Sequence, residues 1–200
     1  MGIEIINGAF DVYTAAIDTA YEDIATDSVV GWDKIGTNST RHYGEEGVVL
    51  SANQEMQKHF FAGGTEVLKI SRSQEEVIYS FTLFDLVSAQ FVKAFNLATS
   101  TTDVAPGSGT GGYQHWDLLR GLTVNGLALL IRGNNKSPDL VTENVQIEVP
   151  HVVQIASLEI VHNKADDAGL KFELQAVADY TYNSGNSPYG RILIGDDPAV

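Results

Sequence analysis

The stretch from Phe60 to Leu86 reads FFAGGTEVLKISRSQEEVIYSFTLFDL, and it decides the fold class. Gly63 and Gly64 separate two apolar segments, and a Gly-Gly pair supplies the positive φ angles of a two-residue hairpin turn. After the turn, VIYSFTLF alternates apolar and polar residues with a period of two, as a half-buried antiparallel strand does. The stretch therefore predicts a long β-hairpin over residues 47–84.

Phe60 and Phe61 are adjacent at the end of the first strand of this hairpin. Successive side chains of a strand point to opposite faces, so one ring can enter the chain's own core while the other points away from it. We expect one of the two, together with the turn at Gly63 and Gly64, to contact a neighbouring subunit. The alternative, that both rings are buried within the chain, stays open.

Other segments repeat the period of two. In ENVQIEV, Val145, Ile147 and Val149 are predicted to face the core, and Gln146 and Glu148 to face solvent. Further strands are predicted for LKFELQAVADYTY, for VVQIASLEIV after a break at Pro150, and for RILIG near the C-terminus. The Asn125-Gly126 pair in LTVNGLALLI predicts a hairpin between two apolar runs.

One segment is predicted to be helical. DLVSAQFVKAFNLA has a plausible N-cap at Ser88, and we expect a helix over residues 86–97. Its spacing places Phe91, Val92 and Phe95 on one side and Gln90 and Lys93 on the other.

The chain is predicted to form one mainly β domain with a single short helix, in which two sets of strands pack as a sandwich. Its parts are an acidic arm or first strand (1–30), the hairpin region (47–84), the helix (86–97), a Gly/Ser/Thr loop (98–112) and a second set of strands (113–195).

Composition excludes several classes of function. The 200 residues include no cysteine, which excludes disulfides, thiolate metal sites and cysteine nucleophiles. There are 26 acidic against 12 basic residues, a net charge of −14, and such a surface repels phosphate. No apolar run approaches the roughly 18 residues that a membrane-spanning helix needs.

No motif in the sequence supports catalysis or a bound cofactor. Gly107, Gly109 and Gly112 match the spacing of a dinucleotide-binding loop but lack the buried strand and the helix that such a loop connects. His115-Trp116-Asp117 is the one cluster with chemical interest, and no nucleophile accompanies it. The acid pairs at 45–46, 75–76, 166–167 and 196–197 are expected to be solvated turn residues. We expect no catalytic residue, no metal site and no cofactor.

The order of these elements resembles the major tail proteins, or tail tube proteins, of long, non-contractile-tailed bacteriophages. The segment GWDKIGTNSTRHYGEEGVVL is similar to the family's Trp-x-x-hydrophobic-Gly stretch and the acidic start of its next strand, at Trp32, Ile35, Gly36 and Glu46-Gly47-Val48. The Phe60–Leu86 stretch then resembles the family's strand pair with a helix after it. The closing strands are also similar, although Gly185-Asn186-Ser187 is inserted before Pro188.

The resemblance implies a β-sandwich or barrel-like subunit that forms hexameric rings, which stack into a hollow tube. The expected partners are further copies of the chain, the tape-measure protein, the tail terminator and distal tail proteins, and double-stranded DNA that passes through without specific binding. The expected location is the virion tail, with the host cytoplasm during assembly, and no membrane is involved. A negative lumen would keep DNA away from the wall, although the sequence assigns no particular acid to that surface.

Other classes of function remain open. A receptor- or glycan-binding β-sandwich would use exposed aromatic residues, for which Tyr113, Trp116 and Tyr189 are the candidates. A neck or tail-terminator component would form a single ring and never a stack. An enzyme with a dispersed site would need a strongly perturbed carboxyl or histidine in a deep pocket.

Overall fold

The computed structural model of the chain describes residues 10–25, 29–36, 43–95, 101–104, 107, 109, 111–115, 124–135, 143–157, 160 and 168–194. Its strands are β1 (Phe10–Ala15), β2 (Asp33–Lys34), β3 (Val49–Phe60), β4 (Val67–Leu83), β5 (Thr101–Val104), β6 (Tyr113–His115), β7 (Gly126–Asn135), β8 (Glu143–Gln154), β9 (Leu170–Ala176) and β10 (Arg191–Ile194). One α-helix, α1, spans Ser88–Ala94, and a 3-10 turn spans Tyr182–Gly185.

Eight of the strands form one antiparallel sheet in the order β2-β1-β7-β8-β9-β4-β3, with β10 pairing to β8. Strands β5 and β6 form a separate two-stranded ribbon. The mainly β class with one short helix is confirmed. The two halves of the chain do not keep to separate sheets, because β1 pairs with β7 and β4 pairs with β9.

The large sheet curls, and Tyr43 joins parts of it that are far apart in the strand order. Its backbone bridges to Leu83 of β4, and its hydroxyl accepts a hydrogen bond from the Val12 amide of β1 (3.1 Å). The same hydroxyl donates to the Ile35 carbonyl (2.8 Å). Three strands separate β1 from β4 in the sheet, so these contacts require the sheet to fold around its own concave face.

The larger of two hydrophobic clusters fills that concave face, and a smaller one, with Trp32 and Leu130, lies on the other side of the sheet. In β9, Leu170, Phe172, Leu174 and Ala176 are buried, and Lys171 is exposed, which confirms the predicted alternation. Phe172 stacks on Phe81 of β4 with ring centroids 4.8 Å apart. Tyr79 and Leu83 are buried on the same side, as VIYSFTLF predicts.

Strand β8 runs through Pro150, so the predicted break there is wrong. Leu127 of β7 pairs with Val152 and Leu129 pairs with Val149, which leaves an extra residue on β8 in a β-bulge beside the proline. Along its other edge, β8 pairs with β10 up to Glu148 and with β9 from Val152 onward. Proline lacks an amide hydrogen, and it occupies the gap between these two partners, where the sheet needs no donor.

The predicted helix is shorter than expected. The helix α1 spans Ser88–Ala94, and its N-cap is Val87, whose side chain makes no capping hydrogen bond. Gln90 is buried rather than facing away. At the other end, the buried Gln154 side chain donates to the Ala94 carbonyl (3.2 Å) and the Lys171 carbonyl (3.1 Å), which fixes the helix against β9.

Three turn predictions are also corrected. The hairpin between β3 and β4 has a six-residue loop, residues 61–66, rather than a two-residue turn. Gly126 begins β7 and pairs with Val153, so among the described residues Asn125-Gly126 does not link two strands. Within the predicted loop 98–112, residues 101–104 form β5 and pair with β6; residues 98–100, 105, 106, 108 and 110 lie outside the described residues.

Candidate functional site

The hairpin of β3 and β4 projects well beyond the body of the protein. β4 pairs with β9 only from Ile78 onward, so Val67–Val77 and the facing part of β3 form a two-stranded extension, called here the hairpin ribbon. At about 3.4 Å per residue it extends roughly 35 Å. Every residue of β3 except Ser51 is exposed. An isolated two-stranded hairpin is marginally stable in water, so this exposed ribbon needs further contacts to be rigid.

The ribbon has one partly apolar face and one polar face. The register continues the core-facing side of the sheet through Leu50, Met56 and Phe60 of β3 and through Val67 and Ile70 of β4. These five side chains are each 41% to 56% exposed. The side of the ribbon that carries them, called here the apolar face, also carries Gln54, Lys58, Arg72 and Glu75. The opposite face carries polar side chains that bond to each other, such as His59 to Ser71 (2.8 Å) and Gln74 to Glu76 (2.7 Å). Exposed apolar side chains gathered on one side of a ribbon make that side a candidate interaction surface.

Phe60 and Phe61, the predicted contact residues, lie at the end of the ribbon, and neither enters the core. Phe60 is 53% exposed and Phe61 is 59% exposed, so the alternative that both are buried within the chain is wrong. Gly63 has φ +85° in a turn closed by the Gly64 amide donating to the Phe61 carbonyl (3.1 Å). That φ angle favours glycine.

The end of the ribbon differs in charge from the rest of the chain. Residues 56–72, called here the hairpin tip, contain three basic residues and one acidic residue, Glu66, for a net charge of +2. The chain as a whole carries −14, so all the other residues together carry −16 (−14 less +2). The tip is thus a basic, aromatic projection from an acidic protein.

Strand β3 is also an edge strand. It pairs with β4 on one side, and no other described strand pairs with its second side. A long edge strand exposes a row of backbone donors and acceptors that can pair with another chain. The hairpin ribbon therefore has two surfaces available for contact with another chain, an apolar face and an unpaired strand edge.

A second polar feature lies on the convex side of the sheet, around Glu148 of β8. The carboxylate is 1% exposed, and it accepts hydrogen bonds from the Tyr182 hydroxyl, from Arg191 Nε (2.6 Å) and from Gln146 Nε2 (2.7 Å). Gln146 in turn accepts from Arg132 (2.6 Å). Burial, followed by the hydrogen bond to Glu148, raises the pKa of Tyr182. Each member of this network has a partner, as buried polar groups require.

The sequence interpretation that placed Gln146 and Glu148 on a solvent face is therefore wrong. The segment after β1 covers them: Gln146 Nε2 donates to the Glu22 carbonyl (2.9 Å) and Arg132 donates to the Asp23 carbonyl (2.8 Å). Tyr21 packs beside them, and burial is the main cause of its raised pKa. Alternation alone cannot show that a polar strand face is covered by a loop far away in the chain.

Beside this network lies a cleft of about 390 Å³, open on one side, here called the tyrosine cleft. Its lining includes Asp18, Ala20, Tyr21, Asp179, Tyr182 and Arg191. The rings of Tyr21 and Tyr182 meet edge to face with centroids 5.7 Å apart. The Asp179 carboxylate accepts from the Thr181 amide (2.8 Å) and hydroxyl (2.6 Å), and the hydroxyl bond is the main reason why its pKa is lowered.

The wall of the tyrosine cleft has an unusual backbone. Asn183, Ser184 and Gly185 are consecutive residues with φ of +48°, +56° and +79°. L-residues adopt this left-handed region as single residues rather than in runs, at a cost of roughly 1–2 kcal/mol each. The turn closes because the Asp179 amide donates to the Pro188 carbonyl (2.8 Å). Such strain is held only where the surrounding contacts fix it, and it is typical of functional surfaces.

The other sequence candidates do not come together in a site. Gly107, Gly109 and Gly112 lie between two strands, β5 and β6, rather than before a helix. Tyr113 is 61% exposed, while Trp116 and Asp117 lie outside the described residues. Glu45 and Glu46 are exposed in a turn as expected, but Glu75 and Glu76 lie in β4. The pairs at 166–167 and 196–197 lie outside the described residues.

The described residues contain no cluster of three or more His, Asp or Glu side chains able to hold a metal ion. No helix in the described part of the chain is long and apolar enough to cross a membrane. No known family model matches the chain, and no curated protein sequence matches it.

Proposed function

We propose that the chain is a self-assembling structural protein, the tail tube subunit of a long, non-contractile-tailed bacteriophage. The observation that carries the proposal is the hairpin ribbon, whose apolar face and open edge have no partner within the described chain. A free monomer gains nothing from five exposed apolar side chains on one side of the ribbon. A ring of subunits gains their burial and pairs their strand edges.

In this proposal, six copies close into a ring in which the sheets of neighbouring subunits complete a sandwich or barrel. The ribbon spans the junction between subunits, with Phe60, Phe61 and the Gly63-Gly64 turn in contact with the next copy. Rings then stack into a hollow tube that guides DNA and the tape-measure protein, and that ends against tail terminator and distal tail proteins. The resemblance of the order of elements supports this architecture.

Charge supports a conduit for a polyanion. Six chains of −14 each carry −84 per ring, and a negative wall repels DNA over about 8 Å in physiological salt. A basic wall would instead bind many phosphates and slow transit. The protein therefore needs no specific DNA contact to act as a channel.

Negative-stain electron microscopy of the purified protein over a range of concentrations tests the proposal. Hollow tubes built from six-fold rings are the expected result. Single rings that never stack would indicate a neck or terminator component instead. A monomer at every concentration and salt condition, with ligand binding at exposed aromatic residues, would contradict self-assembly and favour a receptor- or glycan-binding module.

A further inference from the structure

We infer that the tyrosine cleft of one copy receives the hairpin tip of another copy. This inference rests on the proposed self-assembly and specifies the partner surface that the ribbon contacts.

The two surfaces are compatible in size and in aromatic character. The cleft of about 390 Å³ is lined by two tyrosine rings and open to solvent on one side, and its volume is in the range of sites that bind small organic groups. The tip presents Phe60 and Phe61, both more than half exposed. Aromatic rings contact each other favourably in offset or edge-to-face geometry, which the existing Tyr21–Tyr182 pair already displays.

The charges are complementary as well. Asp18 and Asp179 line the cleft, and the cation of Arg191 beside them is paired with Glu148 (2.6 Å). The hairpin tip carries Lys58 and Lys69 within the +2 segment of an acidic chain. Two acidic surfaces would repel each other, so the basic tip is the part of this protein best suited to approach the cleft of a second copy.

The contact is not formed within the single chain, in which Phe60 and Phe61 are exposed and no ribbon residue lines the cleft. The cleft lies on the convex side of β7 and β8, whereas the ribbon projects from β4 and β3 at the far end of the sheet, beyond β9. Two different patches that bind each other make a head-to-tail contact, which generates either a closed ring or an open stack. Both kinds of contact are needed to build a tube.

The absence of cysteine makes a cross-linking test clean. Ala20 lines the cleft and Ala62 lies in the tip, and both are exposed, so Ala20→Cys and Ala62→Cys leave every ring and charge in place. The two single variants are mixed before assembly and treated with a short bis-maleimide. The matched control replaces Ala62→Cys with Ala52→Cys, an exposed position on the same ribbon but far from its tip.

A covalent dimer from the Ala20 and Ala62 variants, in assembled material and not with the Ala52 control, is the expected result. Tubes that form without this dimer would overturn the inference and leave the proposed function standing. Failure of the unmodified protein to assemble under any condition would overturn both.

A double-mutant cycle gives a second readout that needs no cysteine. Asp18 has φ +68°, a conformation that asparagine tolerates, so Asp18→Asn removes only the charge. Asp18→Asn and Lys58→Glu should each raise the concentration needed for assembly about two- to fivefold. In the Lys58→Glu background, Asp18→Asn should instead lower it, and purely additive effects would contradict the contact.

Discussion

Replacing Phe60 with aspartate should abolish assembly without unfolding the subunit. The ring is 53% exposed in the isolated chain, so about 100 Å² of an aromatic side chain of roughly 200 Å² remains to be buried by a partner. At about 25 cal/mol per Å², that burial contributes roughly 2.5 kcal/mol to each contact. A carboxylate at the same place adds a desolvation cost of at least a few kcal/mol. The contact then weakens by about 5 kcal/mol, or more than a thousandfold.

The fold should hardly respond, because surface substitutions usually change the free energy of unfolding by less than about 0.5 kcal/mol. Sedimentation velocity measures assembly, and urea unfolding of the dispersed subunit measures stability. Phe61→Asp should behave in the same way. Gln57→Asp adds the same charge to the polar face of the ribbon and should assemble nearly as the unmodified protein does. If both Phe variants merely unfold, or if they assemble at the unmodified protein's concentration, the reasoning fails.

Three further predictions concern the framework that positions these surfaces. Glu148→Ala should lower the free energy of unfolding, measured by urea titration, by about 3–5 kcal/mol, because Tyr182, Arg191 and Gln146 lose a buried acceptor. The control Glu173→Ala removes a half-exposed ion pair and should lower the same free energy by less than about 1 kcal/mol. Gly190→Ala should lower the thermal midpoint, measured by circular dichroism, because Gly190 has φ +105° and an added Cβ would overlap the Glu148 carbonyl oxygen; an unchanged midpoint would refute the close approach. Burial raises the pKa of Tyr79 to about 12, so the folded state holds this proton more tightly than the unfolded state does. The free energy of unfolding should therefore fall by roughly 2–3 kcal/mol as the pH rises from 10 to 12. Tyr79→Phe should show a smaller fall, and an equal fall would contradict the burial effect.

The sequence predicts well where burial has a single cause. β9 and the end of β4 alternate apolar and polar residues, because one side of each strand packs in the core and the other meets water. This period of two is visible in LKFELQA and VIYSFTL. The hairpin was predictable for a different reason, because Gly63 and Gly64 separate two runs of strand-forming residues. The six-residue length of its loop was not predictable, because no residue in Phe61–Glu66 marks where the two strands end.

The prediction fails where distant parts of the chain meet. Alternation places Gln146 and Glu148 on a solvent face, yet residues 20–25 cover them. Their buried hydrogen bonds support the wall of the tyrosine cleft. Pro150 reads as a break, yet β8 changes partner at that point and so tolerates a residue without an amide hydrogen. The tyrosine cleft likewise joins residues near 20 with residues near 180, and no local pattern records that pairing.

The ribbon keeps apolar residues at exposed positions, and the sequence alone does not show that these positions are exposed. A strand whose two faces are both accessible should be polar on both, but the apolar face retains Met56, Phe60 and Ile70. The register, with its two shifts, places those side chains on the side of the ribbon that faces the core further along β4. Alternation alone would predict burial within the chain, and the structure shows instead that the chain leaves these side chains exposed.

Hydrogen–deuterium exchange of the β3 amides, before and after assembly, tests the central claim most directly. In dispersed subunits the amides of Val49–Phe60 that point away from β4 have no partner in the described sheet and should exchange at nearly the rate of an unstructured peptide. In assembled material the same amides should become protected by a hundredfold or more, on the order expected for paired sheet edges. Equal, rapid exchange in both states would show that the ribbon stays uncovered and would contradict assembly through it.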